Sequence, residues 1–316
     1  MISYSYRYLK IKEKLNQNEL VILDGGVGTE LQKRGIEMDE SWCGTASRNT
    51  EILKQVHLDY INAGAQVITT NTYASSRLLL DAAGFGNDFE EINLKAISAA
   101  KAAREEISDD ILIAGSLSHR YPIAHGDSQS NATIQFKQPI LQGATDEMAG
   151  LLSENGCDLI LLEMMYHPDR IQTVFDSAKK SNKPVWAGFS TRRSDDGEIL
   201  SLTDSIDMPF KELVKIISDY ELDAVGIMHT DVNVVSDSIK IIKEIYDGTI
   251  LVYPDSGGWV SPNWIFDKVI KPHELKARAT EWAKEGVQIL GGCCGLSPEH
   301  IQAVAEIKQC VASYYL

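Results

Sequence analysis

The feature that most constrains the fold of this chain is an alternation of short apolar runs with longer amphipathic stretches. Eight runs carrying β-branched residues lead into polar or glycine-bearing turns, at 20–23, 66–69, 111–114, 159–162, 185–188, 224–228, 250–253 and 287–290. Runs of this length are typical of buried strands. Segments with helical spacing lie between them, at 49–63, 90–106, 145–155, 168–180, 209–220, 233–246, 272–285 and 298–311.

Eight strand-and-helix units in a chain of 316 residues predict an α/β fold, a single (β/α)₈ TIM barrel over residues 19–316. A doubly wound sheet is the alternative, although it needs fewer strands or a second domain to use this length. No low-complexity tract or linker interrupts the series, so we place no boundary within it. Residues 1–18 precede the first unit and are interpreted as an N-terminal extension.

Charge and composition exclude several classes of function. The formal net charge of −15 repels nucleic acid and anionic membrane surfaces. No window approaches the apolar length of a membrane span, and the N-terminus lacks the pattern of a signal peptide. Five scattered cysteines do not make a disulfide framework. We therefore expect a soluble, cytoplasmic protein that acts on small molecules, and a homo-oligomer is possible.

Polar residues follow each apolar run, at the ends of the strands where a TIM barrel carries its active site. They are Asp24, the segment 70–73, Ser116, Glu163, Ser190, His229, the segment 254–257 and the pair Cys293 and Cys294. Singly, each suits a turn or a cap. Together they indicate a site containing acids, hydroxyls, an imidazole and two thiols.

The pair Cys293 and Cys294 stands between glycines, in Gly291-Gly292-Cys293-Cys294-Gly295. Glycine permits a sharp turn that brings both sulfurs to one side, whereas a regular strand would alternate them. Two buried structural cysteines are the alternative. With His229, the pair makes a sound three-ligand set for Zn²⁺ that leaves a fourth position for substrate.

Asp24 and Glu163 could hold an amino group or act as an acid and base pair, and the residues alone do not separate these roles. The glycine-rich segment 25–28 matches neither phosphate-loop pattern. His57, on the first predicted helix, is interpreted as a packing residue. His300 is expected near solvent in the first turn of the last helix, or as a residue that supports a metal ligand.

These motifs, in this order, resemble the zinc-dependent homocysteine S-methyltransferase family, which includes the S-methylmethionine and betaine enzymes. The resemblance spans residues 19–311 and rests on the segments 23–31, Trp42, 56–65, 70–73, 114–116, 161–163, 253–257, 291–295 and 298–301. It implies that zinc binds the homocysteine thiolate, which receives a methyl group from a small sulfonium or betaine-type donor. It also implies Cys293 and Cys294 as zinc ligands. The implied homocysteine pocket comprises Asp24, Gly25, Thr72, Tyr73 and Glu163.

Two departures from the family pattern stand out. The family's third zinc ligand is a cysteine after the sixth strand, where this chain has His229. The third strand is followed by Leu117-Ser118-His119-Arg120-Tyr121 instead of a glycine- and proline-rich turn. His119 and Arg120 suit an anionic group, so we expect a donor or acceptor with an added carboxylate.

Two other functions are compatible with the residues. One is a zinc hydrolase in which Glu163 is the base, although two thiolates make the metal a weaker acid. The other is a degenerate barrel that only binds an amino acid. The segment 258–264, with two tryptophans, is expected to be a lid or an oligomer contact. Cys43, Cys157 and Cys310 are interpreted as ordinary thiols.

Overall fold

The computed structural model describes residues 2–126, 135–203 and 206–308, and within them eight parallel strands surround a common axis. These strands are β1 Val21–Ile22, β2 Val67–Thr69, β3 Leu112–Ser118, β4 Leu159–Met165, β5 Val185–Phe189, β6 Ala224–Asp231, β7 Ile250–Asp255 and β8 Val287–Leu290. Each is hydrogen-bonded to the next in chain order, and β1 pairs with β8. The predicted TIM barrel is confirmed.

The barrel closes between its two shortest strands. An isolated parallel bridge joins Leu23 to Val67. The Gln66 amide donates to the Ile22 carbonyl at 2.8 Å, and the Asp24 amide donates to the Val67 carbonyl at 3.0 Å. Closure removes the exposed strand edges that an open sheet would have.

Helices follow the strands on the outside of the barrel, with additional helices before β1 and after β1 and β2. They are α1 Tyr6–Asn16, α2 Val27–Lys33, α3 Thr50–Asn62, α4 Arg77–Ala82, α5 Phe89–Ile107, α6 Gln138–Glu154, α7 Pro168–Lys180, α8 Phe210–Leu213, α9 Val235–Lys243, α10 Pro272–Lys284 and α11 Pro298–Ala305. None of the described helices combines the length and apolar character needed to cross a membrane.

The structure departs from the predicted boundaries in several places. The helix predicted at 145–155 begins at Gln138, and the one predicted at 209–220 is a short α8 continued by 3₁₀ turns over Val214–Asp219. The helix predicted to reach 311 ends at Ala305, and residues 309–311, with Cys310, lie outside the described residues. Strands β3, β4, β6 and β7 extend beyond their apolar runs because polar residues at their ends also pair.

Two layers of apolar side chains make the core. Residues such as Ile113, Ile160 and Ile227 pack between the sheet and the helices. Their neighbours Leu112, Leu161 and other inward-facing residues fill the barrel interior. This alternation follows from the two-residue period of a strand, with helices covering its outer face.

Helix α1, which belongs to the predicted N-terminal extension, covers the end of the barrel opposite the site. Tyr8, Ile11 and Leu15 join the interior cluster, and the Trp186 indole donates to the Tyr8 hydroxyl at 3.0 Å. The Gln288 side chain in β8 donates to the Leu15 carbonyl at 2.7 Å. The helix therefore completes the barrel core, whereas the division of the chain at residue 18 remains a prediction.

We expect Tyr8→Ala to lower the free energy of unfolding by about 3–4 kcal/mol, because it removes a large buried side chain. Tyr8→Phe should cost about 1–2 kcal/mol, since it leaves the Trp186 N–H unpartnered. The matched control is Tyr6→Ala on the exposed face of the same helix. Denaturant unfolding measures all three; equal effects of Tyr8→Ala and Tyr6→Ala would contradict the role of Tyr8.

Candidate metal and substrate site

A cleft opens at the carboxyl ends of the strands, where the sequence predicts the active site. Its wall includes seven of the eight predicted site residues, all except Thr72. Aromatic and sulfur-containing residues also line it, namely Trp42, Cys43, Met164, Met228, Tyr253 and Trp264. The structure therefore gathers residues from distant parts of the chain on one surface.

Irregularities at two strand ends direct side chains into this cleft. In β6, Met228 faces the barrel interior, so regular alternation would turn His229 outward. A register shift between Met228 and Asp231 and a φ of 41° at His229 turn the imidazole toward the cleft. In β4 a similar shift accompanies a φ of 53° at Met164, next to Glu163. Such strained positions are typical of functional sites.

His229, Cys293 and Cys294 form the candidate metal centre. The Cys293 Sγ lies 3.6 Å from the His229 Nδ1 and 3.8 Å from the Cys294 Sγ. All three ligand atoms lie within 4.8 Å of one another. Tetrahedral zinc, with Zn–S of about 2.3 Å and Zn–N of about 2.0–2.1 Å, sets two sulfurs about 3.8 Å apart and sulfur and nitrogen about 3.6 Å apart. The arrangement fits zinc.

The electrostatics of the centre already favour one thiolate. A hydrogen bond from the Cys293 thiol, together with nearby His229, holds the pKa of Cys294 well below its usual range. The same hydrogen bond raises the pKa of Cys293. Burial lowers the pKa of His229, but Asp255 and Cys294 outweigh it and raise that pKa to about 9. The thiolate of Cys294 is thus favoured at the position where a cation would bind.

The outer nitrogen of His229 faces a carboxylate. The His229 Nε2 is buried and has no hydrogen-bond partner among the residues that the structure describes, and the Asp255 Oδ2 lies 3.8 Å from it. A carboxylate beside the outer nitrogen of a ligating histidine fixes the tautomer and the orientation of the ring. When the imidazole ligates a metal in its neutral form, Asp255 would supply negative charge beside it.

Asp24, which follows β1, and Glu163, within β4, are buried carboxyl groups that both line the cleft. Asp24 accepts hydrogen bonds from the Thr69 amide at 2.7 Å and the Thr69 hydroxyl at 2.9 Å. Burial raises its pKa well above the usual range. Glu163 accepts from the Ser116 hydroxyl, and burial raises its pKa to about 7. A cationic group would stabilise both in the ionised form.

The remaining predicted pocket residues differ in what they contact. A side chain on Gly25 would lie 2.4 Å from the Leu296 carbonyl, so only glycine fits there. The Tyr73 hydroxyl contacts the Met164 Sδ at 2.8 Å within the cleft. Thr72, in contrast, bonds the Ser116 carbonyl at 2.8 Å and the Thr70 hydroxyl at 2.8 Å. Thr72 therefore connects the segment after β2 to β3 and does not itself line the cleft.

Three other histidines, His57, His119 and His300, are not part of the candidate metal centre. His57 is buried on α3, where burial lowers its pKa to about 3, as suits a packing residue. His300 is buried and bonds Ser297 and the Ile270 carbonyl, so its expected solvent-near position is wrong. It caps α11 because its imidazole reaches back to the helix start. The His119 Nε2 accepts the Tyr166 amide at 3.1 Å.

Comparisons with known proteins agree with this geometry. The model of the homocysteine S-methyltransferase family matches residues 21–308. The chain belongs to this family. It is 27% identical to a selenocysteine methyltransferase of Astragalus bisulcatus over 90% of this chain and 91% of that protein. It is 26% identical to betaine–homocysteine S-methyltransferase 1 of Bos taurus over 94% of this chain and 74% of that protein.

The fold of this homocysteine S-methyltransferase family member also matches a solved structure. The metallated form of the homocysteine methyltransferase MmuM from Escherichia coli aligns with a TM-score of 0.74 and 22% identity, over 94% of this chain and 99% of that one. The predicted family and enzyme class are confirmed: the chain is a methyltransferase whose family acts on homocysteine. This assignment favours methyl transfer over the hydrolase alternative.

Sequence reasoning assigned no role to several residues that shape the site. Thr69 ends β2 and holds Asp24, while Ser116 holds Glu163. Asp255 ends β7 and faces His229. Their positions at strand ends are a signal in the sequence, but the pairing of one strand end with another appears only in the closed barrel.

We expect zinc content to separate the three ligands from other residues of the same type. The purified protein should contain about one zinc per chain, and Cys293→Ala and His229→Ala should each lose most of it. Cys157→Ala, at a buried thiol outside the site, and His273→Ala, at an exposed histidine, are matched controls that should keep it. Full zinc content in both ligand variants would contradict the site.

Glu163 should destabilise the folded protein at neutral and higher pH. Its folded pKa of about 7 lies above the ordinary value of 4.5, so stability present below pH 4.5 is lost as the pH rises through 7. Glu163→Gln should therefore raise the free energy of unfolding at pH 8 by up to about 3 kcal/mol, with no gain at pH 4.

Denaturant unfolding at both pH values measures this effect. Glu154→Gln, at an exposed residue of α6, is the matched control. A Glu163→Gln variant that is no more stable than wild type at pH 8 would show that the folded protein tolerates the charge.

Proposed function

We propose that this chain transfers a methyl group from a small sulfonium or betaine-type donor to the thiol of homocysteine, with Zn²⁺ held by His229, Cys293 and Cys294. The observation that carries the proposal is the spacing of the three ligand atoms, 3.6 Å and 3.8 Å for the measured pairs, inside a cleft of a homocysteine S-methyltransferase family member. The ligand set is complete, which counts against a degenerate barrel that only binds.

Zinc in this centre would lower the pKa of the substrate thiol and supply a thiolate at neutral pH. Two thiolates and a neutral imidazole give the ligand set a charge of about −2. Asp255, beside the outer nitrogen of His229, adds negative charge to the surroundings and favours retention of the cation. We infer that this carboxylate compensates for having histidine where a third thiolate would otherwise stand.

The amino-acid end of homocysteine fits the buried acids. Asp24 and Glu163 both line the cleft, and the raised pKa of each reports the cost of ionisation without a cation. An ammonium group placed between them would offset this cost. We assign both residues to substrate binding, with Gly25 allowing close approach of the backbone and Tyr73 forming the adjoining wall.

Methyl transfer depends on alignment of the thiolate with the donor and on exclusion of water, more than on acid or base groups. The homocysteine sulfur forms a bond to the methyl carbon as the donor's bond to that carbon breaks, and the bonding pair leaves with the donor heteroatom, which becomes neutral. Trp42 and Trp264, with ring centroids 4.8 Å apart and ring planes tilted by 36°, form an apolar wall beside the centre. Excluding water lowers the cost of bringing the thiolate and the cation together.

The thiols also bear on where the protein works. Cys43, Cys157, Cys293 and Cys294 are all free. A centre that depends on two thiolates needs a reducing compartment, which supports the proposal of a cytoplasmic enzyme of methionine biosynthesis. The expected homo-oligomer remains a prediction.

The function is tested by supplying homocysteine with S-methylmethionine, betaine, dimethylsulfoniopropionate or S-adenosylmethionine. Under reducing, zinc-replete conditions we expect at least one donor to yield methionine, measured by mass spectrometry. Cys293→Ala should lower the rate by at least about 100-fold, since loss of a metal ligand removes thiol activation. Absence of methionine with every donor, from zinc-loaded protein, would refute the proposal.

A further inference from the structure

Tyr253 in β7 carries a buried hydroxyl that has no hydrogen-bond partner. The residue is only 2% exposed and lines the cleft. Its hydroxyl oxygen makes no hydrogen bond with any residue that the structure describes. Tyr60, which is also buried, shows how this fold treats a structural tyrosine, because its hydroxyl donates to the Leu296 carbonyl at 3.0 Å. An unpartnered hydroxyl is costly to bury, so the one on Tyr253 points to a group that arrives with a ligand.

A glycine in a neighbouring strand makes room for this hydroxyl. Tyr253 pairs with Met228 of β6 and packs in the cluster that fills the barrel interior. A side chain on Gly188 in β5 would lie 2.5 Å from the Tyr253 hydroxyl oxygen. Glycine inside a strand often marks a place where another group approaches closely. The phenol therefore reaches past β6 to β5, the strand next to β4, which carries Glu163.

The hydroxyl of Tyr253 belongs to the part of the cleft assigned to homocysteine. Burial raises the pKa of Tyr253 well above its usual range, and the charges of Glu163, Cys293 and Asp24 raise it further. The hydroxyl therefore stays protonated at neutral pH. It also lies within electrostatic reach of both acids assigned to the amino group and of one metal ligand, so it faces the space between them.

An ammonium group needs one acceptor more than the two acids provide. It carries three N–H donors and no acceptor, and Asp24 and Glu163 account for one donor each. We propose that the Tyr253 hydroxyl oxygen accepts the third N–H of the homocysteine ammonium, so that the acceptors of this chain are thiols with an unsubstituted ammonium group. The inference rests on the proposed function. A hydroxyl that accepts this bond can donate its own hydrogen to one of the acids, which are ionised once the cation is present.

The first test compares wild type with Tyr253→Phe, both zinc-loaded, by calorimetric titration without a methyl donor. The ligands are homocysteine, its carboxamide, which keeps the amino group, and 4-mercaptobutanoate, which lacks that group and keeps the carboxylate. We expect Tyr253→Phe to bind homocysteine and the carboxamide about 20-fold more weakly than wild type, as suits loss of a hydrogen bond to a charged group. Its affinity for 4-mercaptobutanoate should stay within about 2-fold of the wild-type value.

Each other pattern of affinities overturns the inference in its own way. Equal binding of homocysteine to wild type and Tyr253→Phe would show that the hydroxyl makes no contact with it. A loss for homocysteine and 4-mercaptobutanoate, but not for the carboxamide, would assign the hydroxyl to the carboxylate. A similar loss for all three ligands would indicate a role in packing. Absence of homocysteine binding to the zinc-loaded wild type would overturn the proposed function as well, which separates the two failures.

Stability distinguishes a substrate contact from a structural one. Tyr253→Phe removes a hydroxyl that has no partner among the described residues, so the denaturant midpoint of the ligand-free protein should not fall. A lower midpoint would show that the hydroxyl is bonded within the protein, and would overturn the inference. The matched control is Tyr246→Phe, whose hydroxyl donates to the Leu222 carbonyl at 3.2 Å and which does not line the cleft. It should keep the wild-type affinity for homocysteine.

A last measurement needs no variant. N-methylhomocysteine retains the charge of the amino group but has one N–H donor fewer. We expect the zinc-loaded wild type to bind it at least about 10-fold more weakly than homocysteine, because one hydrogen bond to a charged group is lost. Equal affinity for the two thiols would show that the third N–H finds no acceptor, and would overturn the role of Tyr253 whether or not methionine is formed.

Discussion

The site depends on one carboxylate at the seam of the barrel. Asp24 lies two residues beyond β1 and binds Thr69 at the end of β2, while its own carbonyl accepts the Gly292 amide at 3.0 Å. The three strand ends that meet where the barrel closes are thus joined through one residue. Because Cys293 and Cys294 directly follow Gly292, the position of the metal ligands is tied to the same seam. A residue assigned to substrate binding also holds the centre in register.

Most of the fold could be predicted because two periodicities determine it. Buried parallel strands appear in a sequence as short apolar runs, and the helices that cover them appear as amphipathic stretches. All eight apolar runs form strands of the barrel. Boundaries were less predictable, because the part of α6 before Thr145 contributes only Leu141 and Ala144 to the buried face of the helix. Helix α1 was not predicted, although Tyr8, Ile11 and Leu15 recur at helical spacing, because nothing in the sequence indicates that this stripe packs into the barrel interior.

The sequence identified most residues of the site, but it did not predict how their side chains are oriented. Strand-end position and residue chemistry selected Asp24, Glu163, His229 and the cysteine pair. Regular alternation would turn His229 away, and only the bulge that gives it a φ of 41° brings it to the cysteines. Such a bulge has no sequence mark here, because no glycine stands at that position. The same limit applies to Thr72, whose hydroxyl turns toward Ser116.

The contact of helix α1 with β8 has a consequence for the order in which the molecule can assemble during translation. Leu15 is bonded by Gln288, which lies 273 residues later in the chain. The pairing of β1 and the full set of contacts of α1 therefore form only after β8 has been synthesised. Closure of the barrel thus depends on contacts of very long sequence separation, which form slowly.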